Sequence, residues 1–317
     1  MGLTVKDLSK KYGEKTVVDH ISFEMEKPGV YALLGTNGAG KTTSIRMILD
    51  MLDKDTGEVL WNGKPLSFEN CNIGYLAEER GLYQKYPLMD QIMYFGELRG
   101  VSREVLEKKI RYWSGRLKLD EYLYPQPIDI GGGRTKKAKP KSPDQLSKGN
   151  QQKIQFLIAM LSDPELLVLD EPFSGLDPVN TDILKDVVRE QIDAGKYIIM
   201  SSHQMAVVEE FCTDITILSR SKAIVKGNLN EIKKSYGRVK LSLKTESDAS
   251  EYIKALGVEI LSEKENEYSL KVTGDAQANE LLKNLVNAGV SVIKFELAEL
   301  SLHEIFVKEV GADEEAH

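Results

Sequence analysis

The stretch GTNGAGKTT, Gly35 to Thr43, constrains this chain more than any other. It fits the pattern G-x-x-x-x-G-K-[ST]. Glycines let the backbone curl tightly around an anion and turn its N–H groups toward it. In that pattern Lys41 reaches the β- and γ-phosphates of a nucleotide, and the Thr42 hydroxyl ligates Mg²⁺. The flanks agree. An apolar run over residues 30–34 reads as a buried strand, and residues 42–52 read as an amphipathic helix. The helix N-terminus adds its dipole to the anion site. A chance glycine-rich turn is the competing explanation, and the strand and helix on either side count against it.

Through about residue 235, short apolar runs alternate with helical patterns. GVYALLG, ELLVLDE and KYIIMSS read as strands. Ile154, Leu157, Ile158 and Leu161 recur at helical spacing, as do Ile183, Leu184, Val187 and Val188. The alternation predicts an α/β layer on a largely parallel sheet. Ligands of such sheets sit outside the carboxyl ends of the strands, where LLVLDEP places Asp170 and Glu171. Asp170 can hold Mg²⁺ through water, and Glu171 can orient and deprotonate an attacking water. Alone, such a pair is equally a polar strand end at the surface. Beside a phosphate cradle the functional reading gains strongly.

After Tyr236-Gly237 the pattern restarts. VKLSLKT reads as a strand, SDASEYIKALG as a helix, and VEILSEKENEYSLKV as a hairpin around Lys264-Glu265-Asn266. AQANELLKNLVNAG reads as a helix and VSVIKFEL as a strand. The order βαββαβ suggests a ferredoxin-like unit. SLHEIFVKEV reads as a closing helix and GADEEAH as a frayed acidic tail. We therefore expect two unrelated domains, residues 1–235 and 236–317, with no internal repeat.

Composition narrows the partners. Net charge is -7, which does not favour general nucleic-acid affinity. The two cysteines, Cys71 and Cys212, lack metal-like spacing and read as core residues in a reducing, cytosolic compartment. No run approaches 18 apolar residues, and MGLTVKDLSKKYG has no apolar signal core, so any membrane role needs a partner.

Together these residues resemble one family, the nucleotide-binding subunits of ABC transporters. Gly35, Thr36, Asn37, Gly38, Ala39, Gly40, Lys41, Thr42 and Thr43 resemble its Walker A motif, and LLVLDE its Walker B motif. LSKGN, with Ser147, Lys148, Gly149 and Asn150, resembles the signature usually written LSGGQ. SGLD, ending at Asp177, resembles the D-loop. His203 in SSHQM resembles the switch histidine, and Tyr12 in SKKYGEK the aromatic that stacks on adenine. The motifs occur in the family's order. Each has a plainer explanation: Tyr12 as a surface aromatic, His203 as a structural histidine, Ser147 as an N-cap.

The resemblance implies a P-loop ABC-type ATPase domain. It would have a RecA-like core, an antiparallel β subdomain and a helical subdomain near residues 84–162. It implies ATP and Mg²⁺ as ligands, the metal meeting Thr42, Asp170 and Glu78, with Glu171, His203 and Glu78 in catalysis. His203 would contact the γ-phosphate and hold the attacking water. The signature would bind the opposite subunit's ATP, so hydrolysis needs a homodimer, or a heterodimer with a related subunit. The partner would be an integral membrane permease, placing this chain on the cytoplasmic face of the membrane. The C-terminal unit resembles an extension on ATPase subunits of bacterial exporters, such as sodium-efflux and peptide-antibiotic resistance systems.

Two departures from the family pattern stand out. The signature's usual glycine pair reads Lys148-Gly149, and its final Gln reads Asn150. After NIGYL the family carries Gln, whereas this chain has Glu78. A carboxylate also ligates Mg²⁺ but adds negative charge near the γ-phosphate, which predicts slower basal turnover. The competing reading turns Glu78 away to pair with Arg80.

A second hypothesis is a soluble ABC ATPase acting on ribosomes or nucleic acid. The single cassette, the absence of a long coiled coil between the Walker motifs and the acidic balance all disfavour it. A non-catalytic, nucleotide-gated regulator is disfavoured by Glu171 and His203. One segment stays apart: residues 124–144 form an insertion before the signature, basic at Arg134, Lys136, Lys137, Lys139 and Lys141. Gly131–Gly133 and its prolines make it flexible and non-helical. It reads as a solvated loop, or as a contact to the permease's cytoplasmic loops or anionic lipid.

Overall fold

The computed structural model describes residues 2–79, 81–129, 134–136 and 138–315. Two compact units part between Lys226 and Gly227. The sequence pattern had put the change at 235/236. The helix Leu229–Tyr236 goes with the second unit, where Lys308 Nζ sits 4.7 Å over the Tyr236 ring.

In the first unit, strands β1 (Leu3–Tyr12), β2 (Lys15–Met25) and β3 (Gly29–Gly35) lead into helix α1 (Lys41–Ile48). Strands β4 (Thr56–Trp61), β5 (Lys64–Pro65) and β6 (Ile73–Leu76) follow. The helical subdomain comes next, with α2 (Leu88–Leu98), α3 (Arg103–Arg116) and α4 (Asp120–Leu123). The small pair β7 (Ile128–Asp129) and β8 (Thr135–Lys136) precedes α5 (Lys148–Met160). Then come β9 (Leu166–Asp170), α6 (Pro178–Asp193), β10 (Tyr197–Ser202), α7 (Met205–Val208) and β11 (Asp214–Ser219). Strand β12 (Lys222–Asn228) ends the unit's sheet.

One sheet of ten strands runs β5-β4-β1-β2-β12-β11-β3-β10-β9-β6. The pairs among β1, β2, β4 and β5 are antiparallel. The neighbours β11, β3, β10, β9 and β6 are parallel. β3 and β9 are buried along their whole length, as a parallel strand covered on both faces must be.

Register turns this topology into a site. Leu34 of β3 faces Ser202 of β10, Ser201 faces Asp170 of β9, and Leu169 faces Leu76 of β6. The residues that leave these four adjacent strands at one edge are therefore Gly35, His203, Glu171 and, two beyond Leu76, Glu78.

The first helix is shorter than the sequence pattern suggested, ending at Ile48 rather than near residue 52. Asp50 takes a left-handed conformation (φ 56°), and the N–H groups of Met51 and Leu52 turn back to the Arg46 carbonyl. That satisfies the open end and stops the helix.

The basic insertion is more ordered than expected. β7 and β8 pair antiparallel within it, and Ser142 and Gln145 close a capping box over a 3₁₀ turn at Pro143–Gln145. Arg134, Lys136 and Lys139 are exposed. Gly131–Gly133 and Lys137 lie outside the described residues, as does Arg80, the alternative partner considered for Glu78.

The second unit opens with α8 (Leu229–Tyr236) and continues as β13 (Arg238–Thr245), α9 (Ser250–Ala255), β14 (Glu259–Lys264), β15 (Glu267–Lys271), α10 (Asp275–Asn287), β16 (Val292–Glu299) and α11 (Leu302–Glu315). Its sheet runs β14-β15-β13-β16, antiparallel throughout, which is the ferredoxin-like order. Leu241, Leu243 and Leu270 face Ile253, Leu281 and Leu285 in its core. The hairpin turns through Glu265 (φ 49°) and Asn266 (φ 60°), the two positive φ angles that match strand twist. The acidic tail expected to fray is helical through Glu315. Ala and Glu favour helix enough to continue past Gly311, which costs about 1 kcal/mol relative to Ala.

Candidate functional site

The cradle begins with backbone geometry. Gly38 and Gly40 sit at φ 82° and 105°, in the left-handed region. A Cβ on Gly40 would stand 2.5 Å from the Val17 carbonyl oxygen. The turn can therefore lie against β2 only as glycine. α1 starts at the next residue, so its free N–H groups open onto the loop. A cavity of about 290 Å³ lies here, lined by Val17, Asn37, Lys41, Thr42, Glu78 and Glu171 among others.

Around it the polar side chains interlock. Lys41 is buried, and its Nζ donates to the carbonyls of Gly35 (2.9 Å) and Thr36 (3.3 Å). The same Nζ lies 3.3 Å from Glu171 Oε1, an oxygen that accepts no hydrogen bond. His203 Nδ1 donates to the other oxygen, Oε2, at 2.8 Å. Nε2 of His203, whose side chain is 45% exposed, thus stays available to a ligand.

Asp170 is fully buried. Its Oδ1 accepts from Ser201 Oγ (2.5 Å) and Thr42 Oγ1 (3.2 Å), while its Oδ2 has no partner. Burial pushes its carboxyl pKa up, the two hydroxyls pull it back, and the nearby Glu78 and Glu171 charges push it up again. Glu78 Oε2 is 3.5 Å from Thr42 Oγ1. Thr42, Asp170 and Glu78 thus present hard oxygens to one place, one buried oxygen being unsatisfied, which suits a small divalent cation. Among the described residues no three His, Cys, Asp or Glu side chains form a metal cage. A set of one hydroxyl and two carboxylates is incomplete alone and would need further oxygens from a phosphate.

The structure brings Gly35–Thr43, Glu78, Asp170, Glu171 and His203 together, and leaves the remaining candidates elsewhere. Ser147 caps α5, accepting from Asn150 N–H at 3.2 Å. Asn150 Nδ2 donates to Tyr122 Oη at 2.9 Å, and Lys148 is exposed. Gly149 is buried where a Cβ would meet Asn180 Nδ2 at 3.1 Å and Leu176 Cδ2 at 3.2 Å. Asp177 caps α6, accepting from Asn180 N–H at 2.9 Å. None of these lines the cavity. Tyr12, at the end of β1, is 53% exposed and does not line it either.

Sequence reasoning missed Val17, Ser201 and Gln152. Ser201 accepts the Glu171 N–H at 3.0 Å. Gln152 Nε2 donates to the carbonyls of Glu171 (3.3 Å) and Pro172 (3.1 Å). Gln152 lies between Gly149 and Phe156 on the buried stripe of α5. A polar residue on an apolar stripe is a signal of a specific hydrogen-bond partner. Ser201 carries no comparable signal, because its role comes from register.

Comparisons with known proteins agree with this geometry. The ABC transporter family model matches residues 18–174. A model of the C-terminal domain of DrrA1-3-like ATP-binding proteins matches residues 227–310. The ABC transporter ATP-binding protein YhaQ of Bacillus subtilis is 39% identical over 98% of this chain and 99% of its own. The linearmycin resistance ATP-binding protein LnrL, also of Bacillus subtilis, is 30% identical over 73% of this chain and 70% of its own. A solved ATP-binding subunit of an ABC transporter superposes with a TM-score of 0.63 at 28% identity, covering 74% of this chain and 93% of that one. Motifs, strand-edge geometry and relatives converge: this chain belongs to the ATP-binding subunits of ABC transporters, a family of ATP-hydrolysing enzymes.

Proposed function

We propose that this chain powers a separate membrane permease, in the direction of export, and hydrolyses ATP at two composite sites of a dimer. The observation that carries the reading is the convergence of Lys41, Asp170, Glu171 and His203 at one strand edge, with His203 and Glu171 already 2.8 Å apart. ATP phosphates would take the cradle N–H groups of Gly35–Thr43, and Tyr12 would stack on the base. Lys41 would exchange its carbonyl partners for phosphate oxygens. Glu171 would take a proton from the attacking water, and His203 would steady that water and the γ-phosphate. Thr42, Asp170 and Glu78 would hold Mg²⁺, which when bound would supply positive charge to offset that of the phosphates.

Ser147, Lys148, Gly149 and Asn150 stand outside the chain's own cavity, which favours their use on a second subunit's ATP. A helix N-terminus with a hydroxyl and a buried glycine is suited to an anion. Asp177, beside them through Asn180, would lie at the same subunit boundary.

Coupling to a permease would use the groove between β6 and the helical subdomain. It encloses about 280 Å³ and is lined by Tyr75, Leu82, Phe95, Leu98, Arg99 and Gln155 among others. Tyr83, Tyr86 and Tyr94 are more than half exposed nearby, an apolar rim that fits a partner protein. Among the described residues no helix is long and apolar enough to cross a membrane, so membrane attachment would come through that partner. Export rests on the DrrA-like C-terminal match and on the linearmycin resistance relative.

The alternative, a soluble ATPase working on ribosomes or nucleic acid, sits poorly with a net charge of -7. Affinity capture of the full chain from detergent-solubilised membranes separates the two. Recovery of a polytopic membrane protein supports the transporter; recovery of ribosomes or DNA instead overturns it.

A further inference from the structure

Glu171 is held in an uncommon backbone conformation, φ 50°, for a non-glycine residue. Such a conformation costs on the order of 1–3 kcal/mol and persists only where the surroundings enforce it. The enforcing contacts are visible on both sides of the residue. On the N–H side, Ser201 accepts through its hydroxyl at 3.0 Å and its carbonyl at 3.2 Å. On the C=O side, Gln152 donates to Glu171 and to Pro172, at 3.3 and 3.1 Å. Both side chains are nearly inaccessible, Ser201 at 0% and Gln152 at 5%. Neither reaches the cavity or the Glu171 carboxylate.

We propose that Ser201 and Gln152 are positioning residues that clamp the Glu171 backbone in its left-handed turn and so aim its carboxylate at the attacking water. The hydroxyl of Ser201 spends its single proton on Asp170 Oδ1 at 2.5 Å, so one side chain fixes both the cation-facing and the proton-accepting carboxylates. Gln152 contributes something different. It sits on α5, the helix that Ser147 caps and that Gly149 packs against Asn180. The same rigid helix therefore carries the residues offered to a second subunit's ATP and the amide that holds this subunit's own base. A shift of α5 would change the aim of Glu171 without touching any contact to this subunit's own ATP. Misplacement of a reacting group by about 1 Å costs on the order of 100-fold in rate.

The proposal rests on Glu171 as the proton acceptor, and a double-mutant cycle separates the two claims. Gln152→Met keeps the volume and removes the amide donors; Ser201→Ala removes one oxygen. In the full chain each should lower kcat by roughly tenfold or more while ATP affinity, read with a fluorescent analogue, stays within about twofold. In a Glu171→Gln background Gln152→Met should not reduce the residual rate further, and Ser201→Ala should reduce it less than in the parent, through Asp170 alone. An equal loss in both backgrounds, or no loss of kcat in the parent, overturns the clamp while leaving Glu171 as the base. Full activity of Glu171→Gln alone overturns the base itself.

Discussion

Lys41 Nζ lies 3.3 Å from Glu171 Oε1, with both side chains about 95% buried. The lysine we assign to phosphate and the carboxylate we assign to water thus neutralise each other inside the first unit. Burying either charge alone would be costly. A phosphate bound in the cradle would compete for Lys41 and leave Glu171 to His203. The pair makes a stability prediction: Lys41→Met should lower the melting temperature, and adding Glu171→Gln should recover part of that loss. Strict additivity of the two changes in thermal unfolding would mean that the pair does not interact.

Glu78 adds a third carboxylate beside Asp170 and Glu171; burial raises the Asp170 pKa most, and the Glu78 charge adds to that rise. In the proposed reaction the same repulsion would act on the developing γ-phosphate charge. Glu78→Gln should therefore raise the ATPase rate, by roughly two- to tenfold, or about 0.4–1.4 kcal/mol in the barrier. A rate equal to or below the parent's contradicts this reading of Glu78.

Gly40 has a φ of 105° and no room for a Cβ beside the Val17 carbonyl. Gly40→Ala should force β2 and the cradle apart and cost on the order of 1–3 kcal/mol of stability. Nucleotide titration should show weakened ATP binding. Unchanged affinity would separate the close approach at Val17 from the shape of the cradle.

The second unit has its own acid-sensitive lock. The Ser250 hydroxyl, the Ser250 N–H and the Tyr268 hydroxyl hold the Asp248 carboxyl down to about 2. A carboxyl depressed in the folded state contributes stability that is complete above its unfolded pKa, near 3.9, and fades as pH falls toward its folded pKa. Asp248→Asn should thus loosen this unit at pH 7, and the gap from the parent should close between about pH 4 and pH 2. Hydrogen exchange at Ser250–Ala255 reads the effect locally; a gap that stays constant down to pH 2 would contradict it.

Much of the site was legible because it obeys strong local rules. Gly35–Thr43 carries its own chemistry, and the continuous apolar runs of β3 and β9 mark buried parallel strands. Their ends, and with them Asp170 and Glu171, had to converge. What escaped notice depends on pairing at long range. Ser201 matters because register sets it opposite Asp170, 31 positions away along the chain. Gln152 reaches Glu171 only because α5 packs under the end of β9. Boundaries were the other weak point. Asp50 stopped α1 early, and α11 ran through Glu315, since neither a left-handed exit nor the persistence of a Glu-rich helix end shows in hydrophobic spacing.

Hydrolysis at shared sites of a dimer is the centre of this account, and trapping that dimer tests it most directly. Glu171→Gln should slow hydrolysis by about 10²- to 10⁴-fold while leaving the cradle free to bind ATP. Size exclusion with light scattering, run on this variant with Mg²⁺ and ATP, should then give twice the 35.5 kDa mass of the chain. It should return to a single chain mass with ADP. A variant that stays monomeric with ATP, although it binds the nucleotide, would contradict the composite site.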